Sequence, residues 1–225
     1  RSEYIYPLFD LYLNSMAIVL AQEGFKMEKG FLAAVKERRT FYEISKDITV
    51  TEDRIEEIVK EAVLYAPSAF NSQSARAVVL FGQQHDTLWD ITKEALRQIV
   101  PAANFAATEE KINSFRSGYG TILYFEDISV VENLQKGFPL YKDNFPIWSQ
   151  QSSGMLQYII WTALEIEGLG VSLQHYNPLI DDKVKESWNI PANWKLIAQM
   201  PFGQPTAQPG PKESQPLPER VKVYK

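Results

Sequence analysis

The chain has 225 residues, 45% of them hydrophobic and 23% charged, with a formal net charge of −5. That length can bury a full apolar core, and the acidic balance argues against a general nucleic-acid or membrane-surface role. The lack of cysteine excludes disulfides, thiolate catalysis and iron–sulfur clusters, and with only His85 and His175 as histidines and no paired-histidine motif, no metal site is expected.

Residues 1–26 contain an apolar run, Met16 to Ala21, preceded by Asp10 and Asn14. It is far shorter than the roughly 20 residues that span a bilayer, and it lacks the features of an export signal. The segment reads as an N-terminal extension, natural or introduced, before a single domain over 27–225. A cytoplasmic location is compatible with the missing cysteines.

Gly30 to Arg39 reads as a short helix with Phe31, Leu32 and Val35 on one face. Thr49-Val50-Thr51-Glu52 has the spacing of a capping box. Behind it, Ile55, Ile58, Val59, Ala62 and Val63 follow helical periodicity up to Ala66-Pro67. A polar loop from Ser68 to Ser74 leads into the strand Ala77 to Phe81, which Gly82 ends. Helices are expected over Asp86 to Ile99 and Ala102 to Phe115, and a buried strand over Tyr119 to Phe125.

An irregular, mobile middle follows, with Gly137, Pro139 and Pro146 as breakers. Ser149 to Glu167 reads as a helix apolar on most of its circumference, and Gly168 suits the position after its end. The spacing predicts a strand over Val171 to Tyr176, a short helix over Asp181 to Ser187 and a strand over Leu196 to Phe202. The Pro-rich stretch Gln204 to Pro218 ends in the β-competent Val221-Lys222-Val223-Tyr224, an arm suited to edge pairing. The pattern is α+β.

Three constellations could carry chemistry. Arg38-Arg39-Thr40 is a compact anion site, since arginine bonds phosphate bidentately, or else a cationic complement to the helix C-terminus. Pro67-Ser68-Ala69-Phe70-Asn71-Ser72-Gln73 offers hydroxyls and carboxamides that can read a polar ring edge, or is an ordinary polar turn. Gly168-Leu169-Gly170 precedes a strand, the reverse of the dinucleotide fingerprint, and reads as a helix cap. The polar Gln174-His175-Tyr176 at that strand's end could face a ligand, although a lone histidine is more often structural.

In this order and spacing the three segments resemble the FMN-dependent nitroreductase family. The details Arg-Arg-Thr-x-Tyr and Pro-Ser-Ala-Phe-Asn-Ser-Gln-Ser-x-Arg are similar to its fatty-acid-repression-mutant-like branch. The resemblance covers about Gly30 to Lys225. It implies a nitroreductase-like fold, with a central, mostly antiparallel sheet flanked by helices and a C-terminal strand exchanged in a homodimer. It also implies FMN at the subunit interface and electrons passing by a ping-pong mechanism from NADH or NADPH to a nitroaromatic, quinone or similar small aromatic acceptor.

By that likeness, Arg38, Arg39 and Thr40 hold the phosphate and ribityl oxygens from one subunit. Ser68, Ala69 and Asn71 reach the flavin from the other, and Gln73 supports their loop. Leu173, Gln174 and His175 run along the isoalloxazine, and Lys212 adds a cation at the phosphate. No side chain acts as nucleophile or essential acid. Phe138, Tyr141, Phe145 and Trp148 either wall the acceptor face or belong to the core. Two positions depart from the wider family. Tyr42, which borders the flavin, replaces a frequent Lys or Arg, and Gln73-Ser74-Ala75 replaces Gln-Pro-Trp. Loss of a lysine near the flavin should lower its reduction potential. Tyr42 therefore motivates an alternative reading, a flavin-binding regulatory or stress-response protein with little turnover.

Overall fold

A computed structural model describes residues 30–225; the extension expected over 1–26 lies outside the described residues. The order is α1 (Phe31–Glu37), β1 (Ile44–Ser45), α2 (Glu52–Tyr65), β2 (Ala75–Phe81), α3 (Gly82–Arg97), α4 (Phe105–Arg116) and β3 (Gly120–Asp127). Then come α5 (Ile128–Gly137), α6 (Phe145–Ile166), β4 (Gly170–Val171), α7 (Asp181–Trp188), β5 (Trp194–Pro205) and α8 (Leu217–Arg220). The strands form one sheet in the order β1-β5-β3-β2, with β4 beside β1 on β5, and every ladder is antiparallel.

The central strand β3 is buried along its whole length, and its middle, Ile122 to Phe125, is a continuous apolar run; the polar Thr121, Glu126 and Asp127 are buried at its ends. Ile122 and Tyr124 face a core built with Ile55, Ile58 and Val59 of α2 and Leu156, Ile160 and Leu164 of α6. Leu123 and Phe125 face a second core built with Trp89 of α3, Phe115 of α4 and Val184 of α7. The result is three layers, with helices on both faces of the sheet. Ala198 pairs with Tyr124 but Leu196 pairs with Phe125, so Ile197 is an extra residue in β5. This bulge turns Leu196 to the opposite core from Ala198.

Several elements differ from expectation. The cap of α2 is Thr51, whose hydroxyl accepts from the Arg54 N–H at 3.2 Å, so the Thr49–Glu52 pairing does not form the cap. The expected mobile middle is helical: α5 runs to Gly137, a 3-10 turn covers Pro139–Tyr141, and α6 starts at Phe145. Pro146 sits in the first turn of α6, where a missing N–H costs nothing. The strand expected over Val171 to Tyr176 is only Gly170–Val171, followed by an isolated bridge from Gln174 to Gln199. In α1 the buried residue is Ala34, while Phe31 and Leu32 are exposed. No helix among the described residues is long and apolar enough to cross a membrane.

Candidate functional site

The first constellation closes α1. Arg38 is its C-cap. Thr40 then bridges Val171, and the Phe41 N–H donates to the Val171 carbonyl at 3.0 Å. Because Val171 pairs with Phe202 and Phe202 with Gly120, this segment is fixed at the Gly120 end of β3. The Arg38 guanidinium lies 4.4 Å from the Trp161 ring centre and 5.9 Å from that of Tyr158, and its Nε is buried without a hydrogen-bond partner. Such cation–π contact fixes the guanidinium against the two rings. Arg39 Nη2 donates to the Gly210 carbonyl at 2.6 Å, which draws the Pro-rich arm over the segment. Arg38, Arg39, Thr40, Tyr42 and Lys212 thereby line one pocket of about 570 Å³. The pocket thus gathers three cations, Arg38, Arg39 and Lys212, with one carboxylate, Glu43, at its wall.

The second constellation lies elsewhere. The Asp127 N–H donates to the Ser74 carbonyl, and the Ser74 hydroxyl donates to Glu126 Oε2 at 2.6 Å, so the Ser68–Ser74 loop sits at the far end of β3. From Gly120 to Glu126 a strand advances about 20 Å at ~3.3 Å per residue. Within the loop a 3-10 turn covers Ala69–Asn71. The Ser68 side-chain oxygen accepts from the Gln73 N–H at 3.0 Å, and Arg76 Nη1 donates to the Gln73 carbonyl at 2.6 Å. Phe70, Asn71 and Gln73 all have positive φ, an arrangement that such residues avoid unless their surroundings enforce it. Ser68 and Gln73 line a second pocket of about 570 Å³, otherwise walled mainly by apolar groups such as Val63, Leu156 and Trp194.

Leu173, Gln174 and His175 follow β4 along the outer edge of β5. Gln174 and Gln199 exchange backbone hydrogen bonds of 2.7 and 2.9 Å, Gln174 Nε2 donates to the Ser172 hydroxyl at 3.2 Å, and His175 is exposed. Tyr42 is also exposed, its ring centre 6.1 Å from that of Phe115. Burial, assisted by the nearby Tyr42, pushes the Tyr176 phenol up to about 12.

One chain therefore brings Arg38, Arg39, Thr40, Tyr42 and Lys212 together, and separately gathers Ser68, Ala69, Asn71 and Gln73. Neither pocket is lined by residues 173–175. The sequence reading missed Trp161 beneath Arg38, whose signal was an aromatic on an already apolar helix. It also missed Glu126, whose signal was an acid directly following the apolar strand Tyr119 to Phe125.

The sequence matches the Nitroreductase family over residues 35–204. HBN1 of Saccharomyces cerevisiae is 36% identical over 184 residues, covering 81% of this chain and 91% of the relative. The nitroreductase FRM2 of the same yeast is 34% identical with the same coverage. The nitroreductase CinD from Lactococcus lactis, solved in complex with chloramphenicol, is 43% identical with a TM-score of 0.80, covering 87% of this chain and all of CinD. A nitroreductase with bound FMN from Desulfitobacterium hafniense shares the fold at 14% identity and a TM-score of 0.64, over 87% of this chain and 98% of that one.

Proposed function

Because this chain belongs to the nitroreductase family, we propose that it is an FMN-dependent oxidoreductase reducing nitroaromatics, quinones or similar planar acceptors at the expense of NADH or NADPH. The observation that carries this reading is the pair of incomplete half-sites at opposite ends of β3. One is cationic and holds an arginine with a buried, unpartnered Nε; the other is mainly apolar with a few polar groups. These suit the phosphate and the ring of a flavin nucleotide respectively.

A homodimer brings the two halves together. In each site Arg38, Arg39 and Lys212 of one chain neutralise the phosphate, and Thr40 binds a neighbouring ribityl oxygen. Ser68, Ala69 and Asn71 of the other chain meet the flavin, in a loop that Gln73 supports. Leu173, Gln174 and His175 pass beside the isoalloxazine. The unburied apolar groups support this assembly: Phe31 and Leu32 of α1, Leu64 and Tyr65 of α2, and Met155, Tyr158 and Ile159 of α6 are all at least 37% exposed. Val221 to Tyr224 pair with no strand among the described residues, and the outer edge of β2 has no partner there. We take these as the two surfaces of an exchanged strand.

The chemistry supplied by bound FMN is two-stage, hydride uptake from the nicotinamide in one half-reaction and electron delivery to the acceptor in the other. The protein's residues position and exclude water. Phe138, Tyr141 and Trp148 offer aromatic surface against which a flat acceptor can rest.

Purified protein should be yellow, release FMN on denaturation, and bleach anaerobically with NADH or NADPH. Steady-state rates with 4-nitrophenol and a quinone should form parallel lines in double-reciprocal plots. Protein that takes up FMN but is reduced by neither nicotinamide would sink the enzyme reading. The shared site has its own test: R38A and N71A homodimers should each bind FMN weakly. A mixed dimer should regain one intact site, because Arg38 and Asn71 of that site come from different chains.

A further inference from the structure

The Ser68–Gln73 loop holds three non-glycine residues in the left-handed region, and the bulkiest of them, Phe70 at φ +56°, is the least suited to it. Two short backbone bonds, Asn71 N–H to the Ser68 carbonyl and Ser72 N–H to the Ala69 carbonyl, stabilise the turn without demanding that backbone angle of an aromatic residue. The Phe70 ring accounts for it. Its centre lies 4.9 Å from Phe138, 5.3 Å from Phe145, 5.9 Å from Tyr141 and 6.1 Å from Trp148. It stacks on Trp148 at 18° and meets Phe145 nearly edge-on at 71°. Phe145 is buried, but Phe70 itself remains 51% exposed, so one side of the ring is packed and the other is open. All four partners belong to the segment between α5 and the first turns of α6.

We propose that Phe70 is a positioning residue whose ring, seated in the Phe138–Trp148 aromatic cluster, holds the Ser68–Gln73 turn in its flavin-binding shape. This role deepens the proposed function and rests on it for the flavin itself. The consequence is coupling: the segment offered as the acceptor wall and the loop offered to the flavin are joined through one side chain. Disturbing either should alter both cofactor retention and acceptor KM.

Two substitutions separate the ring from the backbone. F70G frees the left-handed backbone and removes the ring, whereas F70W keeps an aromatic in the cluster. Hydrogen exchange of the Asn71, Ser72 and Gln73 amides, read without added flavin, should be at least tenfold faster in F70G and within about threefold of the parent in F70W. FMN titration of the same proteins should show at least a tenfold rise in Kd for F70G and little change for F70W. The acceptor KM should rise with it and kcat should change less. The paired variant F138A/Y141A should reproduce the F70G exchange pattern from the other side. Unchanged amide exchange in F70G would overturn the proposal whether or not the protein binds FMN. Altered exchange in a protein that ignores FMN would instead sink the flavin reading and leave the positioning role of Phe70 standing.

Discussion

The Ser74 hydroxyl donates a 2.6 Å hydrogen bond to Glu126 Oε2 at the buried end of β3, and the second carboxylate oxygen, Oε1, is buried without a partner. Burial pushes the Glu126 carboxyl up to about 7, against the pull of the Ser74 bond and of Arg76. The folded protein therefore holds a proton that the unfolded chain releases near 4.5. Glu126 contributes its stability below about pH 4.5 and loses it as pH rises through about 7. The swing is on the order of 3 kcal/mol. E126Q keeps the volume without the titration, so it should gain stability relative to the parent between pH 5 and 8. Urea melts across that range check this; identical pH slopes in the two proteins would refute it.

His85 has the opposite sign. Its ring is buried in the second core, with Nε2 3.1 Å from the Arg116 carbonyl and Nδ1 2.8 Å from the Thr121 hydroxyl. A carbonyl can only accept, so Nε2 carries the proton and Nδ1 accepts from Thr121. Burial first, and nearby cations after it, lower the imidazole to about 4, so the fold favours the neutral ring and loses stability as pH falls from 6.5 towards 4. Between about pH 4.5 and 6.5 the Glu126 and His85 slopes offset. E126Q should expose the His85 slope, a stability that increases with pH in that window. The Thr121 oxygen also accepts from Trp89 Nε1 at 3.0 Å. T121V strands both groups and should cost about 2–4 kcal/mol at pH 7 by chemical denaturation.

What was legible in the sequence was local. The helix α2 announces itself through its apolar period and its stop at Ala66-Pro67, and β2, β3 and β5 through apolar runs, of which β3 is buried throughout, β5 over most of its length and β2 only partly. The ordered motifs name residues that the structure places at two separate pockets, Arg38, Arg39 and Thr40 at one and Ser68 and Gln73 at the other. The middle segment misleads because Gly137 and Pro146 suggest the breakers of a loop, whereas they mark the end of one helix and the first turn of the next. The left-handed Phe70 was invisible for a different reason: nothing in the residue prefers positive φ, and only rings more than sixty positions away enforce it. The stacking of Arg38 on Trp161 likewise exists only once α6 crosses the end of α1.

Gly203 links the sheet to the pocket proposed for the phosphate. A Cβ there would collide with the Ser45 carbonyl and approach Gly118 Cα at 3.1 Å, both backbone atoms that cannot swing away. The Ser45 carbonyl belongs to β1, which pairs with β5 just beyond the Arg38–Thr40 segment. G203A should therefore push β1 off β5, with a loss of roughly 1–3 kcal/mol as for other overpacked sites. It should also weaken FMN retention more than a surface change away from both the sites and the proposed interface, such as E110A at an exposed position of α4. Thermal melts and FMN titration of the two variants, compared side by side, provide the check.

Tyr42 stands where, by the family resemblance, the wider nitroreductase family often has a lysine or arginine. Its side chain lines the cationic pocket beside Arg38 and Arg39, and it is half-exposed, so a longer flexible side chain has room there. An ammonium near the pyrimidine end of a flavin stabilises the anionic reduced form more than the neutral oxidised form. Y42K should raise the two-electron potential of bound FMN by tens of millivolts, since ~30 mV corresponds to about 1.4 kcal/mol for two electrons. Anaerobic dye-coupled titration measures this directly. The substitution also removes the ring contact with Phe115, so a melt must accompany it. A tilted aromatic pair of this kind is worth about 0.5–1.5 kcal/mol. A potential raised in a protein that melts within a few degrees of the parent assigns the effect to charge. An unchanged potential would show that position 42 lies too far from the ring to set its chemistry.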